Sequence, residues 1–317
     1  MTFEVPIAMN PQRRRFLQAT SAFACSTFLS GGVGCKPDRP TGISAQKLRE
    51  PFKIGMCDWD MYATGDPKSL AIAKELGFDG VEVTYDPEGE HSLSRPDNRK
   101  LFLEAAEKES IEISSLAMGI LNTVPLATAE QAEGWVADCI EAMAEMKVKT
   151  VLLPCFFDAD IKDNIDNRNK VIERFKRLAP LAEKNNVVLG IESFLSAKEY
   201  LDMLEKIGNA AARVYYDATN MFFRENMVFN DYPMYDDLEM LLKEKVICQI
   251  HCKENRAQLG QGKIDFPRVR DLLEKYDYQG WLVAETFPWT DLTESGNWKE
   301  WLRADAVGLR KMFNDLR

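Results

Sequence analysis

The run ICQIHCKENRAQLGQGKID, residues 247–265, decides how the rest of the chain is read. Its first part, ICQIHCK, is short and apolar, as a buried strand is. The ENRAQLGQGK that follows is polar and punctuated by Gly260 and Gly262, as a loop is. His251 is one of only two histidines among 317 residues. It stands near the C-terminal end of the strand. A metal ligand at a strand mouth, followed by a loop able to close over a substrate, is the pattern the remaining sequence is tested against.

Working outward, seven more segments of the same kind appear. The strands read as 52–57, 80–85, 112–118, 150–156, 188–193, 214–219, 247–253 and 280–286. Helical patterns lie after them at 66–77, 97–109, 128–147, 164–185, 198–208, 233–245, 266–276 and 297–315. Leu70, Ala73 and Leu76, closed by Gly77, show the form: apolar spacing of three with a C-terminal glycine. Eight strand–helix units over roughly 260 residues predict an α/β fold of the (β/α)8 TIM barrel class, residues 52–317. A doubly wound sheet uses the same alternation, but no GxGxxG follows the first strand.

A barrel places its active site at the C-terminal ends of the strands. The fifth ends in Ile191-Glu192-Ser193, the sixth in Tyr216-Asp217, the seventh holds His251, and the eighth ends in Ala284-Glu285-Thr286. Side chains alternate along a strand, so Glu192, Asp217, His251 and Glu285 can all point inward, with Ile191, Tyr216, Ile250 and Ala284 outward. Three converging carboxylates repel unless a cation lies between them. One divalent metal ion resolves this. The oxygen-rich set suits Mn²⁺ or Mg²⁺, with Co²⁺ or Zn²⁺ as alternatives. Lys253, two residues past His251, also faces inward. It either binds a substrate oxyanion or forms an ion pair with Glu285 or Asp217.

The formal charge of −10 disfavours nucleic acid and anionic membranes as partners. Residues 1–35 read as a Tat-type export signal: Arg13-Arg14-Arg15-Phe16-Leu17, then a small apolar run from Ala19 to Val33. They carry a net +2, so removing them takes −10 to −12. The expected location is the periplasm. Val33-Gly34-Cys35 resembles a lipoprotein cleavage site, although Gly32 stands where leucine is usual; palmitate labelling of Cys35 tests that anchor. Residues 36–51 read as a polar linker. Five cysteines remain after Cys35, an odd and scattered set that is no disulfide framework. Cys248 and Cys252, four apart on one strand, are expected to share the outward face and pack on helices rather than bind zinc.

The segments VEVTYD (81–86), IES (191–193), YYDATN (215–220), HCKEN (251–255), LGQGKIDF (259–266) and GWLVAET (280–286) resemble the xylose isomerase-like superfamily of sugar phosphate isomerases and epimerases. The resemblance covers about residues 52–315. It implies that Glu192, Asp217, His251 and Glu285 hold the metal, that Asn220, Lys253 and Glu254 line the substrate site, and that Glu82 contacts sugar hydroxyls. Two departures stand against a ketose 3-epimerase. Asn220 replaces a histidine common three residues after the aspartate, and Arg256 lies one residue short of a family arginine. His91, after the second strand, is either an exposed loop histidine or a substrate contact.

The expected activity is a metal-dependent sugar isomerase or epimerase that moves a proton beside a carbonyl, with Glu192 and Glu285 as opposed catalytic bases. A lyase or hydrolase acting on an oxidised 3-keto sugar or glycoside uses the same site. An exported sugar-binding protein without catalysis is the third reading, and it needs no opposed carboxylates. The related three-zinc DNA-repair endonuclease needs more histidines than His91 and His251. Trp59, Tyr62, Phe156, Phe157, Phe222, Phe223, Phe287 and Trp289 follow strands and are candidates for stacking on sugar faces. The long insertion 221–237 sets substrate choice or forms a subunit contact. A homo-oligomer is compatible with the sequence. The loop 259–263 reads either as a mobile lid or as a rigid turn.

Overall fold

The computed structural model describes residues 50–222, 233–254, 257–286 and 297–314, with only the backbone of 221 and 222. Residues 1–49, which hold the expected export signal, Cys35 and most of the expected linker, lie outside the described residues, as do Arg256, Phe223, Phe287, Trp289, the side chain of Phe222 and most of the 221–237 insertion.

Eight parallel strands close into a barrel in sequence order. They are β1 (Ile54–Cys57), β2 (Gly80–Thr84), β3 (Glu112–Ala117), β4 (Thr150–Pro154), β5 (Val188–Glu192), β6 (Ala212–Asp217), β7 (Ile247–Cys252) and β8 (Leu282–Ala284). Closure is made where β1 pairs β8, Ile54 opposite Leu282 and Met56 opposite Ala284. The interleaved helices are α1 (Lys68–Leu76), α2 (Pro96–Glu109), α3 (Glu130–Met146), α4 (Ile165–Lys184), α5 (Ala197–Ile207), a short α6 (Ala218–Phe222), α7 (Met234–Lys243), α8 (Phe266–Lys275) and α9 (Trp298–Phe313).

Local sequence sets the helix ends. Gly77 ends α1 in the left-handed region at φ 92°, returning its N–H to Ala73 and Lys74 carbonyls. Asn164 and Asp265 cap α4 and α8 by accepting the N–H of Asn167 and Arg268. Each helix then buries one face on the sheet. In α3 this is Ala132, Val136, Cys139, Ile140 and Met143, the three- and four-residue spacing of one helix face, all fully buried. Each such large apolar side chain contributes about 1.5–3 kcal/mol by burial. Asn314, past α9, exchanges two hydrogen bonds with the backbone of Phe52 and ties the last helix to the first strand.

Two register shifts alter what faces the barrel interior. One lies between Val81 and Glu82 where β2 meets β3, the other between Val214 and Tyr215 where β6 meets β7. A bulge places two consecutive residues opposite one. It breaks strict alternation, and this corrects the expectation for Cys248. Its sulfur lies against the inner face of Gly190, where a Cβ would come within 2.8 Å of it. Cys248 therefore faces inward beside Tyr215, while Cys252 packs with the outer core. Gly190 has no side chain because Cys248 and Tyr215 fill its place.

Candidate active site

The barrel delivers its strand-end residues to one point. Glu192 and Asp217 are the last residues of β5 and β6, His251 is next to last in β7, and Glu285 follows β8 directly. Strand β6 stops at Asp217 rather than continuing to 219, because α6 begins at Ala218 and the Thr219 N–H turns back to Asp217 Oδ1 at 2.7 Å. One ligand atom from each of Glu192, Asp217, His251 and Glu285 lies within 4.8 Å of all the others. Glu192, Asp217 and His251 are buried, and Glu285 is partly so.

The donors fit a divalent cation. His251 Nδ1 and Asp217 Oδ2 are buried and make no hydrogen bond, a costly state unless another partner serves them. Nδ1 faces Glu285 Oε2 at 3.2 Å and Glu192 Oε1 at 3.5 Å. Lys253 Nζ donates to Glu285 Oε2 at 2.7 Å and lies 3.5 Å from Asp217 Oδ2. It offsets one of the three negative charges, and a divalent cation there offsets the other two. Of the two sequence readings of Lys253, the structure shows the ion pair.

The electrostatics follow from burial and neighbours. Burial pushes the Asp217 carboxyl up to about 6, with Lys253 opposing it and Glu192 and Glu285 adding to it. Burial acts the same way on Glu285, but Lys253 and His251 outweigh it and hold that carboxyl far below its usual range. Burial would lower His251, yet the groups around it, Glu82 and Glu285 among them, hold its pKa well above the usual imidazole value.

The other sequence-predicted residues fall at different depths. Asn220 Nδ2 donates to Glu192 Oε1 at 2.8 Å and so touches the ligand set directly. Glu82 is fully buried beneath it. Its Oε1 pairs with His251 Nε2 at 2.9 Å, and its Oε2 accepts from Ser115 Oγ and Tyr215 Oη. Both carboxylate oxygens are thus engaged by protein, where the resemblance implied sugar hydroxyls. Glu254 turns away from the ligand set and grips the next loop, accepting the N–H of Lys263 at 3.0 Å and of Ile264 at 3.3 Å. Burial raises its carboxyl to about 7. Gly262 permits this, since a Cβ there would run into the Glu254 carboxylate. His91 is half-buried on the β2–α2 loop, outside the ligand cluster.

The loop 257–264 is pinned rather than free. Leu259 N–H donates to Asp305 Oδ1 at 2.9 Å, and Gln258 Nε2 to the Trp301 carbonyl. These bonds favour the rigid-turn reading. Trp59 faces His251 edge-on at 6.3 Å, while Phe156 packs on Phe194 and Tyr62 on Trp298. Phe157 is 73% exposed.

Two buried carboxylates beside the site are absent from the sequence reading. Asp58 is fully buried after β1 and accepts from Gly65 N–H, Thr84 N–H and Thr84 Oγ1, tying the first two loops together. Asp60 accepts the Thr286 N–H at 2.7 Å and braces the residue next to Glu285. The signal was present: DWD at 58–60 immediately follows a strand, at the end where barrels place their sites.

Comparison with known proteins agrees with this architecture. The L-ribulose-5-phosphate 3-epimerase UlaE of Salmonella heidelberg is 23% identical over 264 residues, 75% of this chain and 88% of that protein. Among solved structures, D-psicose 3-epimerase of Clostridium cellulolyticum, determined with D-tagatose, superposes with a TM-score of 0.67 at 16% identity, covering 82% of this chain and 99% of that one. The 3-keto-D-glucoside 4-epimerase YcjR of E. coli does so with a TM-score of 0.61 at 16% identity, covering 80% and 99%. The family profile described as xylose isomerase-like TIM barrel matches residues 70–306. With that match running from the first helix to the last of a closed eight-stranded barrel, the chain belongs to the xylose isomerase-like TIM barrel family.

Proposed function

We propose that this protein is a divalent-metal-dependent sugar isomerase or epimerase that moves a proton on a carbon beside a carbonyl. The observation that carries the proposal is the convergence of Glu192, Asp217, His251 and Glu285 within 4.8 Å, with two of their buried atoms unbonded. The similarity to sugar epimerases supports the substrate class. The three-oxygen, one-nitrogen set favours Mn²⁺ or Mg²⁺ over Co²⁺ or Zn²⁺.

A metal held by these four residues supplies a Lewis acid that draws electron density from a carbonyl and its neighbouring hydroxyl. The chain's own groups do the rest. Glu192 and Glu285 approach from two separate strands, β5 and β8, so one removes the proton and the other returns it. Asn220 holds Glu192 Oε1 by a hydrogen bond, which leaves Oε2 to work on the proton. Lys253 keeps Glu285 ionised, and a base must be ionised to accept a proton. Trp59 supplies an apolar ring beside His251.

The test is proton exchange in D₂O, followed by NMR over a panel of free and keto sugars, with metal-loaded and EDTA-treated protein. Deuterium entering one carbon beside the carbonyl, abolished by EDTA and by Glu285→Gln, is the expected result. Full turnover of Glu285→Gln with metal bound would remove Glu285 as a base. Release of an aglycone instead would identify a lyase acting on oxidised glycosides. Sugar binding without exchange would leave a binding protein.

A further inference from the structure

The inward polar residues under the ligand set form a hydrogen-bonded group centred on Glu82, with longer contacts from the Cys57 thiol to Glu82 Oε1 at 3.8 Å and between Ser114 Oγ and Ser115 Oγ at 3.4 Å. Glu82 and Ser115 are cross-strand partners beside the first register shift, and Tyr215 and Gln249 are partners beside the second. The two bulges bring these pairs together across the barrel. Gln249 Nε2 donates to Ser115 Oγ at 2.6 Å and to Tyr215 Oη at 2.8 Å. Each hydroxyl has then accepted, and each sends its own proton to Glu82 Oε2, at 2.6 Å from Ser115 and 2.5 Å from Tyr215. With Gln249 turned the other way, its amide oxygen would draw both hydroxyl protons off Glu82 and leave a buried carboxylate with those donors gone. The orientation is therefore fixed by the group as a whole.

Glu82 Oε1 remains, 2.9 Å from His251 Nε2. A carboxylate oxygen facing a nitrogen at that distance requires a hydrogen on the nitrogen. Cys57 is the other neighbour of Nε2, at a longer 3.6 Å. We infer that Glu82 is a positioning residue: it keeps the hydrogen of the neutral His251 ring on Nε2, so that Nδ1 is the nitrogen that gives up its proton and turns a lone pair to Glu192, Asp217 and Glu285. The ring can ligate only through the nitrogen without a hydrogen, so Glu82 decides which face of the histidine is available. The inference rests on the metal reading of the site for its consequence, but the pairing itself does not.

The substitution that tests it is Glu82→Gln, which keeps shape and removes charge. Ser115 and Tyr215 still need an acceptor, so the amide oxygen of the new residue takes the Oε2 position. Its NH₂ then faces His251 Nε2 and pushes the ring hydrogen to Nδ1. Two measurements are made on wild type and on E82Q. The first is long-range nitrogen-15 to proton correlation NMR of the imidazoles, simplified by there being only His91 and His251. The second is calorimetric titration of EDTA-stripped protein with Mn²⁺. Expected, at a pH high enough for the ring to be neutral, are a hydrogen on Nε2 in wild type and its transfer to Nδ1 in E82Q, with a loss of Mn²⁺ affinity of about 10–100-fold. A bare Nε2 in wild type overturns the inference, and so does an E82Q affinity within about threefold of wild type, well short of that range. If E82Q does not fold, the wild-type spectrum decides alone. A wild-type protein with hydrogen on Nε2 that binds no Mn²⁺ would overturn the metal reading and leave the Glu82 pairing standing.

Discussion

Lys253→Met separates the charge of this lysine from its bulk. Lys253 is 9% exposed, and its ammonium is 2.7 Å from Glu285 and 3.5 Å from Asp217. Removing one partner of a buried pair leaves an uncompensated charge and costs about 3–5 kcal/mol. For a domain of this size each kcal/mol moves the melting temperature by roughly 2–4 °C, so metal-free protein should melt about 6–20 °C lower. Methionine fills the same space, so the loss is electrostatic. A divalent metal repairs it by neutralising the stranded carboxylates. In saturating Mn²⁺ the loss should shrink to less than half. Because the two losses and the two metal affinities form one thermodynamic cycle, the variant must then bind Mn²⁺ more tightly, about tenfold for each 1.4 kcal/mol of difference. Thermal unfolding with EDTA and with Mn²⁺, together with calorimetric titration, measures all four sides. Equal destabilisation in both conditions would refute the reasoning and show that Lys253 acts through packing.

Metal affinity should rise with pH. The Asp217 carboxyl is pushed up to about 6 and His251 is held above its usual value, so both carry protons in acid. Those protons must leave before the ligand atoms are free. An unchanged Mn²⁺ affinity between pH 5.5 and 8 would contradict this. Gly190→Ala should destabilise by about 1–3 kcal/mol through overpacking on Cys248 and Tyr215. Adding Cys248→Ala should recover part of that in urea unfolding, whereas strictly additive losses would place the sulfur elsewhere. Glu199 accepts from the Ser196 N–H and hydroxyl at the start of α5 and pairs with Lys162. These outweigh its burial and hold its carboxyl down at about 2. Its stabilisation is thus complete above the unfolded value near 4.5 and lost as pH falls toward 2. Glu199→Ala should cost about 1 kcal/mol at pH 7 as a lost cap, and the gap from wild type should close in acid.

The eight strands and their helices were legible because the signals are local. Apolar runs bounded by turn residues, a glycine such as Gly77 and caps such as Asp265 act within one or two turns of chain. The positions of Glu192, Asp217, His251 and Glu285 followed from the same local facts, since alternation is a property of the extended backbone and strand ends are visible in sequence. The mouth of the barrel could be located without knowing any distance. Asp58 and Asp60 were equally local in position, and only their partners were hidden.

What the sequence could not contain was the register between strands. The shift at Val214 and Tyr215 turned Cys248 inward, because a bulge inserts one residue and reverses the alternation on which the outward assignment depended. Glu82 and His251 are 169 residues apart, and Glu82 and Tyr215 are 133 apart. Only closure of the barrel makes Glu82 a partner of the histidine. Glu254 went to the backbone of its own loop because Gly262 lets that loop approach it. The chain by itself determined which residue types reach the mouth, through covalent geometry that repeats every two residues. The tertiary structure determined which nitrogen of His251 faces them, because that depends on groups brought across the barrel from the other side.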